Sequence, residues 1–582
     1  MGTEFWTGFA YEQNMKQRLE TYPPFSGFGA NMYVYISGAP GTVVTVEMPL
    51  LSTPFSQTAT IPASGVVSVT GFPQGDPNDE TDAAGLPDAR LYYTGISNRG
   101  IHVYSHGAPI SAWLYDYSIN NSAGATLLLP TNLWSNNYSV QAYGNVTNDG
   151  PPNSFFFIIA EQDSTTVYFT PSADISDSVV CADFAETGTD VGGSIKYPAG
   201  KTDTIYLNKG QVFNAMGAIN ATGFGLDLSG TTISSPDATK KIAVFGGNGR
   251  CLVSTPFSCP NPTAGSDNMV QQMMSTLYWD TKYFSVPTKS MAHNLYRIYV
   301  QDTATQIWIN DTTHQTSSLI SNQPASFGAS YNTTGKYWTY ESGYPTIFES
   351  DQPISITQFI TSCSGNTAIG NNGSGDPEMI ILTSTQEAIN SATVYSPMIQ
   401  DGLAGGAYIN VVIPQAGVLT FNLDNLTSVD TGTSSFGPTA YGSAASIPII
   451  NAFKPYPSNP NYYFATFHVG NGTAGAIHTM SASVPFNSIV YGCADGESYG
   501  FNAGCTLNHR HNIYTFTGNG NWSDVSKWSN NQLPPSDLSI GSEIIISGNC
   551  ILDLLQTLEK GSTLTILTGA NLKVNDDLLI QK

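Results

Sequence analysis

Residues 225–287 read GLDLSGTTISSPDATKKIAVFGGNGRCLVSTPFSCPNPTAGSDNMVQQMMSTLYWDTKYFSVP, and turns punctuate this stretch throughout. A turn at Leu228–Gly230 precedes the run Thr231–Ile233, and a second turn at Pro236-Asp237 precedes the apolar run Ile242–Phe245. Short β-branched and aromatic runs between Gly and Pro are typical of strands in an antiparallel sheet. The stretch has neither a phosphate-binding glycine loop nor the ligand spacing of a zinc site.

The composition extends this interpretation to the whole chain. Of 582 residues, 41% are hydrophobic and only 11% are charged, with 56 Gly, 34 Pro and 31 Tyr. Such a chain has an uncharged polar surface and many turns, which favours an all-β fold of several domains. Only Thr3–Arg18 and Asp267–Thr276 show a spacing of apolar residues that suggests short helices.

A recurring phrase predicts repeats. Gln162–Thr166 and Gln301–Thr305 share the pattern Q-D-x-T/A-T, each before an aromatic β-rich run. Alternating strands must close their apolar face against a second sheet, so we predict tandem β-sandwich-like repeats, with a β-propeller-like array as the alternative. The predicted units are a first repeat with an N-terminal segment, three further repeats and a small C-terminal β module, at residues 1–150, 151–290, 291–405, 406–512 and 513–582.

The C-terminal module has a different texture. Gly518–Trp522 and Lys527-Trp528 open it, and Thr568–Leu572 reads T-G-A-N-L. These steps between strands predict a short β-solenoid, and the opening resembles a small β-rich module of large bacterial surface proteins.

Charge and hydropathy restrict the partners. The net charge of −23 argues against nucleic acid, because phosphate binding requires clustered Lys and Arg. No apolar run is long enough to cross a bilayer. Met1 stands directly before Gly2–Trp6, which resembles a mature start, so we expect that a leader has been removed.

Seven cysteines are scattered along the chain. Cys251 with Cys259, and Cys493 with Cys505, each frame a short loop, which favours local disulfides in an oxidising compartment; buried free thiols are the alternative. Cys181, Cys363 and Cys550 are unassigned.

The sequence identifies no catalytic group and no metal site. No catalytic nucleophile with a matching base is identified, and His509 with His511 has no evident third ligand. The acidic run Asp76–Asp82 gives Ca²⁺ a weak possibility, although it lacks the order of a calcium loop. Four tryptophans offer stacking faces for sugars, with core packing as the alternative: Trp113, Trp308, Trp338 and Trp522.

The order of the motifs resembles the IgGFc-binding domain family. The resemblance rests on Asp227–Ser234, Lys241–Gly246, the cysteine-framed loop, Asp267–Gln271 and the aromatic run after Trp279. Asp376–Met379 resembles a further phrase of the family, and Glu497–Gly504 resembles a phrase of its bacterial members. The family occurs in a mucus IgG Fc-binding protein and in large surface proteins of gliding bacteria with type IX secretion. Animal members commonly carry Cys-Asp-His where Gly265–Asp267 stands here, so no Fc-contact role is transferred.

The resemblance also implies modification. Ser164, Ser178, Thr204, Thr303 and Thr312 lie in the D-[ST]-[aliphatic/T] pattern that such bacteria use for O-glycosylation.

We therefore expect a secreted, non-enzymatic adhesion or binding module at the cell surface, without a cofactor. Its partner would be an extracellular protein, a glycan or another cell-surface protein. A carbohydrate-binding lectin or glycan-active enzyme, and a structural filament subunit, are the alternatives. The ligand-binding residues are not identified by the sequence.

Overall fold

The computed structural model confirms a nearly all-β chain. It describes residues 1–12, 30–75, 86–118, 122–146, 152–177, 194–237, 239–257, 260, 265–289, 293–362, 376–397, 406–430, 446–470, 475–494, 497–506, 513–529, 533–538, 542–558 and 562–581. In that part the sheets before residue 510 are antiparallel, and those after it are parallel.

The first unit is a sandwich of two four-stranded sheets, ordered β1-β7-β3-β4 and β5-β2-β8-β9. Val46 and Val103 of one sheet share a core with Val34 and Leu114 of the other. The strands are β1 (Glu4–Thr7), β2 (Ala30–Gly38), β3 (Val43–Met48), β4 (Phe55–Thr60), β5 (Val66–Val69), β6 (Gly95–Ser97), β7 (Ile101–Ser105), β8 (Ile110–Ser118) and β9 (Ser122–Leu128).

The second unit is also a sandwich, and β6 joins one of its sheets by pairing with β16. The sheets are ordered β10-β17-β12-β15 and β14-β13-β16-β11-β18-β19. The strands are β10 (Asn137–Ser139), β11 (Ser154–Ala160), β12 (Thr165–Thr170), β13 (Ile175–Ser176), β14 (Ile195–Tyr197), β15 (Asp203–Leu207), β16 (Val212–Gly217), β17 (Thr232–Ser234), β18 (Ile242–Cys251) and β19 (Asp267–Gln272).

The third unit is built on one long strand, β25, which pairs with β20, β21, β22 and β26. The strands are β20 (Asp280–Ser285), β21 (Asn294–Val300), β22 (Ile307–Ile309), β23 (Ser330–Asn332), β24 (Tyr337–Ser342), β25 (Thr346–Ile360) and β26 (Glu378–Ile381).

The fourth unit is built on β34, which passes from one layer to another. Residues 476–481 pair with β27 and β29, residues 487–494 pair with β28 and β35, and Pro485 stands between them. Because proline has no N–H for a ladder, it suits such a corner. The strands are β27 (Ile389–Ser396), β28 (Gly406–Pro414), β29 (Asn422–Leu423), β30 (Ser428–Asp430), β31 (Ser446–Pro448), β32 (Lys454–Tyr456), β33 (Asn459–Gly470), β34 (Ala476–Ala494) and β35 (Glu497–Asn502).

The C-terminal module is a three-sided parallel β-solenoid, as predicted. Its sides are the three-stranded sheets β36-β39-β42, β37-β40-β43 and β38-β41-β44, around a core that contains Trp522 and Trp528. The strands are β36 (Ile513–Phe516), β37 (Asn519–Asn521), β38 (Asp537–Leu538), β39 (Glu543–Ile546), β40 (Asn549–Leu552), β41 (Gln556–Leu558), β42 (Thr563–Ile566), β43 (Asn571–Val574) and β44 (Leu578–Ile580).

The helical interpretation of two segments is wrong where the structure describes them. Glu4–Thr7 and Asp267–Gln272 are strands, and every residue of β19 is buried. A strand that is covered on both faces loses its polar alternation, so its apolar spacing mimics a helix. The described helices are short 3₁₀ turns: Thr131–Leu133, Thr276–Tyr278, Thr316–Ser318, Ile320–Asn322, Ala325–Phe327, Gln415–Thr420, Ile449–Ala452 and Val525–Lys527.

The four units share their cores. One apolar cluster contains Trp113 and Tyr115 of the first unit together with Val411 and Phe501 of the fourth. At the centre, β9, β19, β26 and β35, one strand from each unit, pack against one another. We call this meeting point the four-strand junction. Whether the predicted unit boundaries separate independently folding domains stays a prediction.

Candidate binding site

A tyrosine-lined cleft opens between the first and fourth units. β2 supplies Tyr33 and Tyr35, β8 supplies Tyr115 and Tyr117, and β27 supplies Tyr395. The cleft has a volume of about 400 Å³, and its other lining residues are Val66, Val67, Ser68, Gly475 and Ile477. We call it the tyrosine cleft. None of these described lining residues is charged.

Strand periodicity places the phenol rings on one face. Val34 points into the core of the sandwich, so its neighbours Tyr33 and Tyr35 point away from it. In register, Tyr33 lies opposite Tyr115 on β8. Tyr33 and Tyr35 are parallel, with centroids 5.6 Å apart, and Tyr395 approaches Tyr35 to 4.5 Å. Tyr33, Tyr35 and Tyr395 remain partly exposed.

The cleft is chemically a set of neutral hydroxyl groups. Burial, together with the neighbouring phenols, raises the pKa of Tyr35, and the same causes raise the pKa of Tyr395. Both groups therefore remain protonated at physiological pH, and each can donate one hydrogen bond and accept others. An uncharged ligand that carries hydroxyl or carbonyl groups suits this surface.

Gly475 fixes the position of Tyr395. A Cβ atom at this glycine would lie 1.9 Å from Tyr395 Oη, so only glycine allows the hydroxyl to approach the backbone there. A single backbone position on the loop before β34 thus controls one wall of the cleft.

A larger cleft, of about 590 Å³, lies among the second unit, the third unit and the C-terminal module. Its one aromatic side chain, Tyr138, already donates its hydroxyl to Ile242 O at 2.8 Å. The rest of its lining is aliphatic, short polar or charged side chains, so it offers no stacking platform comparable with the tyrosine cleft.

Three of the phrases that carried the family resemblance, Asp267–Gln271, Asp376–Met379 and Glu497–Gly504, meet at the four-strand junction rather than at a surface. Asp267 Oδ2 accepts a hydrogen bond from Ser498 N at 2.9 Å, and Ser498 Oγ donates to Pro377 O at 2.7 Å. Gln271 Nε2 donates to Ala125 O and Gly500 O. These bonds satisfy edge strands of four different units, which would otherwise expose unpaired backbone groups.

The chain matches one protein-family model. The family model described as "IgGFc binding protein" matches residues 124–492, which is more than half of the chain. The chain belongs to the IgGFc-binding family. The match begins in β9 and ends in β34, so it includes three of the four strands of the junction.

Other comparisons with this chain are weak. No curated protein matches it. A crystal structure of a tetra-tandem repeat in the extending region of a large adhesion protein has 10% identity and a TM-score of 0.09, over 88% of this chain and 100% of that chain. The N-terminal eight Ig domains of Down Syndrome Cell Adhesion Molecule have 8% identity and a TM-score of 0.08, over 87% and 70%. Such low TM-scores carry no argument.

One hydrogen-bonded row of side chains in this member of the family has the residue types of a hydrolase triad. Ser396 Oγ lies 3.2 Å from His478 Nε2, and His478 Nδ1 lies 2.8 Å from Asp424 Oδ2. Against the effect of partial burial, the bonds from His478 and from Thr479 N lower the pKa of Asp424. Ser396 is 2% exposed, whereas the Asp424 side chain is 25% exposed.

This order of burial is the reverse of what acyl transfer requires, because the nucleophile must meet the substrate while the carboxylate orients the base from behind. Asp424 and Asn425 have φ of 55° and 56°, the conformation of a tight hairpin turn. The hydrogen bonds among Ser396, His478 and Asp424 therefore connect this turn to β27 and β34.

The cysteine predictions require a correction. Cys493 and Cys505 are buried thiols that the structure does not join in a disulfide. Cys493 packs into the core of the third and fourth units, while Cys505 packs beside Ile389 in the core shared with the first unit. Cys251 and Cys550 are likewise buried thiols. Cys259, Cys181 and Cys363 lie outside the described residues.

The remaining predicted sites divide by exposure. Ser164, Thr204, Thr303 and Thr312 are exposed, so they are accessible to glycosylation, which stays a prediction; Ser178 lies outside the described residues.

The acidic run Asp76–Asp82 also lies outside the described residues. Within the described part, no group of three or more His, Cys, Asp and Glu is arranged to hold a metal ion. Over the same residues, no helix has the length and hydropathy of a membrane span.

Sequence reasoning missed the tyrosine cleft. Trp113, Trp308 and Trp522, offered as stacking faces, are at most 8% exposed and pack in cores, while Trp338 is partly exposed. The usable signal was the Tyr-x-Tyr pattern of Tyr33-Tyr35 and Tyr115-Tyr117, which places two rings on one face of each strand.

Proposed function

We propose that this chain is a secreted, non-enzymatic binding module of a cell surface, and that it holds an extracellular ligand in the tyrosine cleft. The cleft is the observation that carries the proposal: partly exposed phenols from two units converge on one concave, uncharged surface. Tyrosine supplies a rigid, amphipathic contact area at a low entropy cost, which is why binding surfaces use it. Membership of the IgGFc-binding family supports a protein ligand.

A neutral glycan is the second candidate ligand. The parallel rings of Tyr33 and Tyr35 offer flat apolar faces, and the phenol hydroxyls beside them suit the hydroxyl groups of a sugar. The absence of charge among the described lining residues favours neutral over acidic glycans.

On the resemblance of Glu497–Gly504, we further propose that the chain is of the bacterial surface type, exported by type IX secretion and O-glycosylated at the exposed Asp-Ser and Asp-Thr sites. The intact mass of the natively secreted protein tests this. An excess over the sequence mass that maps to Ser164, Thr204, Thr303 or Thr312 supports it, and a mass equal to that of the unmodified sequence rejects it.

The binding proposal is tested by screening the purified chain against an array that contains extracellular proteins, including IgG and mucins, and neutral and acidic glycans. We expect a ligand whose signal is lost with Tyr35→Ala and Tyr395→Ala. Tyr206→Ala is the matched control, because Tyr206 is 69% exposed on β15, far from the cleft in the second unit. Equal loss with all three variants, or retention with all three, contradicts the assignment of the cleft.

A further inference from the structure

The four-strand junction contains an unusual number of buried acidic side chains. Asp116, Asp267, Asp376, Glu378 and Glu497 come from four units and are each at most 1% exposed. Glu12, in the N-terminal segment, is 2% exposed and acts electrostatically on Asp116. Ionising all of these carboxyl groups in a region without water would cost a large amount of free energy. The stability of the junction therefore depends on which of them hold protons.

Asp267 is the member whose charge is best solvated. Its Oδ1 accepts hydrogen bonds from Ser122 Oγ, Ala123 N and Asn268 N at 2.8, 2.9 and 2.8 Å. Its Oδ2 accepts from Ser498 N and Ser498 Oγ at 2.9 and 3.3 Å. Burial and the nearby Asp376 raise the pKa of Asp267, while these donors oppose that rise. The donors come from the first, second and fourth units, so this carboxyl group joins three of them.

Glu378 is the opposite case. Its Oε1 accepts a hydrogen bond from Met379 N, but its Oε2 is buried and has no hydrogen-bond partner in the structure. Burial, with Asp267 and Asp116 nearby, raises the pKa of Glu378 well above the usual range. A carboxyl oxygen in such surroundings is a natural position for a proton.

Asp116 is intermediate between Asp267 and Glu378 in its hydrogen bonding. Both of its oxygens lie 3.2 Å from Asn268 Nδ2. Burial and Glu12 raise the pKa of Asp116 to about 8, against the effect of that amide.

Other titratable groups around the junction lie on β8, β18 and β35, where Tyr499 interacts with Tyr115. The phenol of Tyr115 on β8 interacts with Glu497, and Cys251 on β18 interacts with Asp267. Arg250 on β18 donates from Nε to Ser266 Oγ at 3.1 Å, directly before Asp267 in the chain. A cation therefore also lies beside the junction.

We propose that the four-strand junction is a proton-dependent lock, in which protons on Glu378 and Asp116 allow the four units to remain packed and the loss of those protons forces them apart. The sign follows from linkage. Below about pH 4 the carboxyl groups are protonated in both the folded and the unfolded chain. At higher pH the unfolded chain releases protons that the folded chain retains, so stability falls as pH rises. For Asp116 this window extends to about pH 8, and for Glu378 it extends further.

The test is thermal unfolding of the full chain from pH 5 to pH 9, with small-angle X-ray scattering below the unfolding temperature. We expect the wild-type midpoint to fall by about 5 °C or more across this range and the radius of gyration to increase at pH 9. Asp116→Asn should reduce the dependence on pH, and Asp577→Asn, which removes an exposed carboxylate of the C-terminal module, should leave it unchanged. Glu378→Gln is a second variant in case the first does not fold.

High salt separates this lock from general surface repulsion in a chain with a net charge of −23. Repulsion between exposed charges is screened at high salt, whereas a buried cluster is screened much less. A pH dependence that persists in high salt and is reduced by Asp116→Asn or Glu378→Gln supports the lock. A wild-type midpoint that is constant from pH 5 to pH 9, or a slope that salt abolishes or that both variants retain, overturns it.

Discussion

The tyrosine cleft and the four-strand junction are both places where strands of different units meet, yet they treat polar groups in opposite ways. In the cleft, Tyr33, Tyr35 and Tyr395 keep part of their surface in water and carry no charge. In the junction, Asp267 and Glu378 are fully buried. Water is available to the first set, so its hydroxyl groups are free to exchange water for a ligand. The second set must be satisfied within the protein or hold protons.

The difference indicates that the junction holds the units together and that the cleft is available to a ligand. Three of the phrases that resemble the family lie in the junction, where Asp267, Gln271 and Ser498 connect the units through hydrogen bonds. The cleft depends on alternating tyrosines that belong to none of those motifs. These phrases therefore hold the units together, whereas the proposed ligand site lies outside them.

The largest effect is expected from Asp267→Ala. This change removes the acceptor of hydrogen bonds from Ser122, Ala123, Asn268 and Ser498 and leaves buried donors without partners. We expect a loss of about 3–5 kcal/mol in the free energy of unfolding, measured by chemical denaturation. Asp577→Ala serves as the exposed control. A loss below about 1 kcal/mol would show that the junction contributes little to the packing of the units.

The next effect concerns binding. Tyr35→Ala removes the ring that contacts both Tyr33 and Tyr395, so we expect the affinity for a ligand found by the array to fall at least about tenfold, or ~1.4 kcal/mol. Isothermal titration calorimetry measures it, with Tyr206→Ala as the control. Because Tyr35 and Tyr395 remain protonated, wild-type affinity should be constant from pH 6 to pH 8. An affinity that follows the stability of the junction over that range would contradict the separation of the two regions.

A smaller effect on binding is expected from Gly475→Ala. The new methyl group would occupy the position of the Tyr395 hydroxyl and displace that ring, which should weaken binding about fivefold, or ~1 kcal/mol. Tyr395→Phe, which removes only the hydroxyl, is the companion variant and separates ring position from hydrogen bonding. If Gly475→Ala binds like the wild type in the same titration, Tyr395 does not form a wall of the binding site.

The smallest effect is expected from Ser396→Ala. It removes one hydrogen bond to His478 and should lower the free energy of unfolding by about 1 kcal/mol. A serine-reactive fluorophosphonate probe should not label the wild-type protein, because Ser396 lies at the inner end of its hydrogen-bonded row. Labelling that disappears in Ser396→Ala would show a reactive nucleophile and would reject the non-enzymatic proposal.

Much of the fold could be predicted from local sequence. Turns at Gly and Pro separate β-rich runs such as Ile242–Phe245, and the T-G-A-N-L step marks the solenoid. The error at Asp267–Thr276 has a physical origin: β19 is buried on both faces, so the polar alternation that distinguishes a strand from a helix is absent.

The candidate sites could not be predicted in the same way, because they depend on contacts between distant segments. Tyr35 and Tyr395 are separated by most of three units in the chain, and Asp267 meets Ser498 across 231 residues. Spacing also misled the pairing of Cys493 and Cys505, which are close in sequence but face different cores. A single sequence records which residues are present, whereas burial decides which of them are available.

The most direct test of the account is a binding measurement on variants that retain the wild-type fold. With the ligand identified by the array, affinity and unfolding midpoint are measured together for the wild type, Tyr35→Ala and Tyr206→Ala. We predict that Tyr35→Ala loses binding at an unfolding midpoint close to that of the wild type, and that Tyr206→Ala retains both. Full affinity in Tyr35→Ala, or a loss of affinity that accompanies a loss of stability, would contradict a ligand held in the tyrosine cleft.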